Sequence, residues 1–147
     1  MRIETTRFGT VELPEDRVIR FPRGLIGFPQ ITRYVLIDHP GGGPFRWLQA
    51  VDAPALAFAV TDPRIFFPDY RVPVSREELE AIGLEDPAEA AVIVILVVPS
   101  RPEGITANLL GPVVINPRAR VGAQLILDST TYTTRHPIFQ GGAAATC

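Results

Sequence analysis

The sequence predicts a mainly all-β chain, an antiparallel β-barrel-like single domain with one short helix near residues 76–82. Three observations carry this expectation. Short alternating or β-branched runs recur along the chain, fifteen prolines and twelve glycines punctuate them, and one stretch alone has both a helix start and a helix stop. Many short strands turned at frequent corners favour a curled or closed sheet.

Thr10-Val11-Glu12-Leu13 alternates, with Val11 and Leu13 on one face and Glu12 on the other. Phe8-Gly9-Thr10 reads as the turn folding this strand onto Arg2–Thr6, and Arg17–Phe21 is a second extended piece. Pro22 to Pro29 holds two internal glycines and makes a loop with apolar side chains. Leu25, Ile26 and Phe28 either plug a barrel end or face a partner. Tyr34–Asp38 and Phe45–Gln49 pair across a flexible hairpin end, His39 to Pro44. Ala55–Val60 is the next strand, Thr61-Asp62-Pro63 a turn, and the aromatic, proline-broken Phe66–Tyr70 an ordered loop.

Ser75-Arg76-Glu77-Glu78 has the form of a capping box, in which Ser75 and Glu78 each satisfy the other's backbone N–H. Leu79 and Ile82 share one face and Gly83 supplies the left-handed stop. A second acidic turn, Glu85–Glu89, leads into Ala91–Val98, which is apolar on both faces and so predicts a strand covered on both sides. After an exposed loop at 99–104, Thr106–Ile115 reads as one extended stretch ended by Asn116-Pro117, and Gly122–Leu127 as the last strand. The domain is expected over residues 1–138, with 139–147 as a flexible C-terminal tail.

Composition narrows the function. A net charge of -2 argues against direct nucleic-acid binding, which favours a basic surplus. All fourteen basic residues are arginine. The one cysteine, Cys147, can form neither an internal disulfide nor a zinc cage. The start lacks the apolar stretch of a secretory signal, and the longest apolar run, 90–99, is about half a bilayer span. A cytoplasmic monomer without membrane contact is expected.

Catalytic patterns are missing. The two histidines, His39 and His136, each precede a proline and are expected on loop surfaces, outside any recognisable acid–base motif. Gly41–Gly43 leads into Pro44 and a strand, so it reads as a hairpin tip and not a phosphate cradle. The acids Glu77, Glu78, Glu80, Glu85, Asp86 and Glu89 crowd one region with Arg76 as their neighbouring base. Solvation explains them adequately, yet together they make a negative surface able to steer a basic partner. No enzyme, cofactor or metal is expected. A hydrolase built on scattered acids such as Glu103 or Asp128 has no supporting spacing, and a small-molecule-binding barrel stays open as an alternative.

Several segments taken together resemble one family. They are Phe21-Pro22-Arg23-Gly24-Leu25-Ile26-Gly27-Phe28, Phe45–Val51, Ala57–Pro63, Phe66–Tyr70, Thr106–Leu109 with Pro112–Asn116, Arg118–Leu127 and Tyr132–Pro137. Their order and spacing from about residue 2 to 138 resemble the FliW family of flagellar assembly factors, although Ala123 stands where a lysine would be typical. The resemblance implies an antiparallel β-barrel-like fold and a bacterial cytoplasmic chaperone-like regulator without enzymatic activity. It implies two partners, flagellin before export and the translational repressor CsrA, exchanged so that repression of flagellin mRNA translation is relieved.

Partner contacts are expected in the Phe66, Phe67 and Tyr70 loop together with Glu77, Glu78, Glu80, Glu85 and Asp86. Phe66 and Phe67 cannot both point inward if that loop is extended, so one exposed aromatic would anchor the interface. Asn108 and Asn116 bracket an apolar strand; they are candidates too, with turn chemistry as the competing explanation.

Overall fold

A computed structural model of the chain describes residues 1–138. The element order is β1 (Arg2–Thr5), β2 (Gly9–Glu12), β3 (Ile19–Arg20), β4 (Arg33–Asp38), β5 (Phe45–Ala50), β6 (Ala57–Thr61), α1 (Arg76–Ala81), β7 (Ala91–Val97), β8 (Thr106–Ala107), β9 (Val113–Asn116), β10 (Val121–Gln124) and β11 (His136–Pro137). The expected tail, 139–147, lies outside the described residues.

Strands β3, β4, β5, β6, β7, β9 and β10 close into a ring, because β9 pairs both with β10 and with β7. Period-two alternation then divides the side chains. Phe21, Tyr34, Leu48, Ala50, Val60, Ile93, Val113 and Ile115 fill the interior, with Leu36, Phe58 and Ile95 packed on them. The closing seam differs from expectation: β3 and β10 run parallel, joined at the single position Arg20–Val121. Gly122 faces inward there because Phe21 leaves no room, and a Cβ would stand 2.6 Å from its ring.

The hairpin β1–β2 forms its own two-stranded sheet with Thr5 opposite Gly9, as the turn at Gly9 predicts. It is tied to the barrel where the Thr6 N–H donates to the Pro54 carbonyl at 2.8 Å. The β4–β5 hairpin closes at 39–44, where the Gly41 N–H donates to His39 Nδ1 at 3.1 Å.

Strand β7 is covered on both faces. Ile93 and Ile95 face the interior, while Val92, Val94 and Leu96 face two outer clusters. One outer cluster sets Leu79, Ile82 and Leu84 of the helical segment against Val114 and Leu125. Burying side chains of this kind contributes about 1.5–3 kcal/mol each, more than the helix's two turns could supply alone. Both bonds of the capping box are present, Glu78 N–H to Ser75 Oγ (3.1 Å) and Ser75 N–H to Glu78 Oε1 (2.9 Å). Ile82 caps the helix and Gly83 follows at φ +78.

The expected single stretch from 106 to 115 is broken. Its two ends, β8 and β9, both pair with β7, but in different registers. The Leu96–Ala107 register would bring residue 110 opposite Ile93; Val113 stands there instead, so three residues are extruded. The Gly111 N–H donates to Asn108 Oδ1 at 2.9 Å and closes this bulge. A Cβ on Gly111 would crowd Asn108 Nδ2 at 2.8 Å and Gln124 Nε2 at 2.9 Å.

Candidate partner-binding site

The first loop closes one end of the barrel. Leu25 belongs to the interior cluster and is buried, and Leu25 and Phe28 form an isolated bridge across the loop's tip. Gly24 sits at φ +67, and a Cβ there would run into the Phe28 carbonyl and the Pro29 main chain, so any side chain collides with backbone. Ile26 is left 56 % exposed, and its N–H donates to Gln124 Oε1 at 2.8 Å. Gln124 Nε2 in turn donates to the Gly111 carbonyl at 2.9 Å. One side chain thereby fastens the loop, β10 and the bulge together.

Between this loop and α1, along β10, runs an open groove of about 620 Å³. Gly24, Leu25, Ile26 and Pro29 form one wall with Arg23, and Glu77, Glu78, Ala81 and Ile82 form the other. Ala123, Gln124 and Leu125 lie along its floor. Glu77 is exposed and Glu78 half-buried through its bond to the Ser75 N–H. Glu80, Glu85 and Asp86 are exposed nearby in sequence, with Asp86 Oδ1 accepting from the Ala88 N–H at 2.9 Å.

The remaining expected contact residues sit elsewhere and face inward. Asp62 opens a tight turn, Pro63–Ile65, so the following segment is not extended. Phe66 and Phe67 consequently both turn toward the same outer cluster; Phe66 stacks on Phe45 at 5.9 Å, and Phe67 meets the edge of His136 at 5.2 Å. Tyr70 is 1 % exposed, and its hydroxyl donates to the Leu109 carbonyl at 2.6 Å. The exposed apolar side chain of this turn is Ile65.

Asn108 and Asn116 follow turn chemistry. Asn116 is buried, donates through Nδ2 to the Ile82 carbonyl (2.8 Å), and accepts from the N–H groups of Arg118 and Ala119. His136 lies in β11, half-buried between Phe67 and Tyr132, rather than on a loop surface.

Sequence reasoning picked out Glu77 and Glu78 but missed Arg23 and Gln124 as groove residues. Gln124 carried the only available signal, a lone amide in an otherwise apolar strand. Among the described residues no group of three or more His, Cys, Asp or Glu side chains converges as a metal cage would, and no helix is long and apolar enough to cross a membrane.

The chain is a seven-stranded barrel with a filled interior and an open groove on its outside, with Ala123, Gln124 and Leu125 along the floor and acids on one wall. A family model described as FliW protein matches residues 2–138. The flagellar assembly factor FliW of Natranaerobius thermophilus is 42% identical over 140 residues, covering 95% of this chain and 93% of that one. The protein of the same name from Bdellovibrio bacteriovorus is 40% identical over 139 residues, covering 95% and 79%. A crystal structure of the flagellar assembly factor FliW superposes with a TM-score of 0.87 at 36% identity, covering 95% of this chain and 97% of that chain. This chain belongs to the FliW family.

Proposed function

We propose that the chain is a non-enzymatic, cytoplasmic flagellar assembly factor that binds flagellin and antagonises the translational repressor CsrA by partner switching. Flagellin occupies the protein until export drains it; the released protein then captures CsrA, and translation of flagellin mRNA resumes. The observation that carries this reading is the family match across residues 2–138. The physical requirements are a rigid surface and two coupled equilibria whose affinities lie near the partners' concentrations.

The groove between α1 and the first loop is the favoured contact region, with Glu77 and Glu78 on its wall and Glu80, Glu85 and Asp86 exposed nearby in sequence. The turn at Ile65–Phe67 offers a second surface through exposed Ile65. Tyr70, Asn108 and Asn116 support the scaffold beneath. Isothermal calorimetry with flagellin and with CsrA, separately and then together, tests the reading. Binding of each alone and a weakened second titration in the mixture are expected. A folded chain that ignores both partners overturns the proposal.

A further inference from the structure

The register of β10, continued past its end at Gln124 by the bonds of residues 125–127, decides which way the amides point. The Leu125 N–H donates to the Pro112 carbonyl and the Leu127 N–H to the Leu110 carbonyl, each at 2.8 Å. The backbone groups of the alternate residues, Gln124 and Ile126, therefore point to the opposite edge. At that edge β10 meets β3 at Val121–Arg20 alone, where the Arg20 N–H donates to the Arg120 carbonyl at 2.9 Å. Past Gly122 the neighbour is the groove, and among the described residues no strand pairs with Gln124 on that side. The first loop stands off from this edge, since Ile26 reaches the Gln124 side chain and not its main chain.

Soluble proteins usually protect a free edge with charge, proline or a bulge. Residues 121–127, Val-Gly-Ala-Gln-Leu-Ile-Leu, contain no charge and no proline, and Ile126 is 79 % exposed. An edge of this composition is suited to being paired.

We propose that the outer edge of β10 is a strand-addition site, resting on the partner-binding reading above and specifying how a partner is held. An extended segment of a partner protein lies in the groove, its main chain bonded to Gln124 and Ile126. The walls set its chemistry. Apolar side chains at alternate positions meet Ile26, Ala81 and Ala123, and arginine or lysine between them meets Glu77 and Glu78. The segment is thus a basic–apolar strand of about five residues.

Two measurements test this, with flagellin and CsrA as the probes, each added separately to the full chain. In the first, amide hydrogen exchange is followed by NMR. Saturation with a bound partner should slow Gln124 and Ile126 by about 10-fold or more as their N–H groups gain acceptors. The second compares Ile126→Pro, which removes the edge N–H, with Ile126→Ala, which keeps it and removes the side chain. Neither change touches the bonds of Leu125 and Leu127 to the bulge. Ile126→Pro should bind about 10-fold more weakly than Ile126→Ala, the loss of roughly one hydrogen bond with its alignment. If the proline variant fails to fold, the exchange data on the unsubstituted chain decide alone. A partner that binds while both amides exchange unslowed overturns strand addition and leaves the partner-binding reading standing. Absence of binding by both probes overturns the two together.

Discussion

The Tyr70 hydroxyl donates to the Leu109 carbonyl across 2.6 Å, joining the turn after β6 to the bulge between β8 and β9, thirty-nine residues away. The bond lies inside the outer cluster, where Tyr132 presents an edge to the Tyr70 ring at 5.0 Å. Losing it leaves a buried carbonyl without that donor. Tyr70→Phe should therefore lower unfolding free energy by about 1–2 kcal/mol in urea denaturation. It should leave both partner affinities unchanged in the folded protein, since the ring and its packing remain. A Tyr70→Phe protein of full stability with a lost partner would return this residue to the interface.

Tyr34 is the opposite case. It fills the barrel interior at 0 % exposure, yet its hydroxyl has no hydrogen-bond partner among the described residues. Burial raises its pKa from 10.0 to about 12. The unfolded phenol ionises first as pH rises, so the stability contribution is complete below pH 10 and is lost as pH climbs toward 12. Tyr34→Phe should be at least as stable as the parent at pH 7, because a buried hydroxyl without a partner is removed. Its stability should also fall less steeply above pH 10, by one proton's worth. Denaturant melts from pH 7 to 11 measure both effects.

Asn116 holds the end of β9 to the end of α1. Its amide donates to the Ile82 carbonyl and its oxygen accepts from two successive backbone N–H groups. Asn116→Ala removes all three bonds, stranding the Ile82 carbonyl at a buried position and the Arg118 and Ala119 N–H groups at part-buried ones. The expected cost is about 2–3 kcal/mol, read as a lowered urea midpoint with an unchanged slope. Asn116→Asp keeps the acceptor but sets a carboxylate against the Ile82 carbonyl, and should recover little of the loss.

These residues also mark what the sequence could and could not disclose. Local chemistry was legible: the Gly9 turn, the Tyr34–Asp38 and Phe45–Gln49 pairing, and the Ser75–Glu78 box all depend on neighbours within a few positions. Strand β7 was legible because an unbroken β-branched run needs cover on both faces. The bulge was not, because Leu109, Leu110 and Gly111 continue an apolar run with no break, and only the two registers on β7 expose the extrusion. Phe66 and Phe67 misled for a related reason. Their inward turn depends on Asp62 capping the Pro63–Ile65 turn, which changes the geometry from alternating to helical. The groove was half legible. Its acids stand out as a cluster, but its other wall and the Gln124 fastening arise from contacts about a hundred residues apart.

The acids give a prediction separable from the main-chain one. Glu78 serves the helix cap, so it should be left intact; Glu77, Glu80, Glu85 and Asp86 are exposed. Each exposed carboxylate alone is screened and worth little at physiological salt. Converting all four, by Glu→Gln at 77, 80 and 85 and Asp→Asn at 86, removes the exposed acids together while Glu78, which also lines the groove, stays in place. If a basic segment docks there, association should slow by about 10-fold at low salt, with a smaller change in dissociation, because distant charges act mainly on encounter. The salt dependence of binding should flatten in the same variant. Stopped-flow association at two ionic strengths reads both. Equal association rates and equal salt slopes for parent and variant would mean that the acids are a solvated helix face and nothing more.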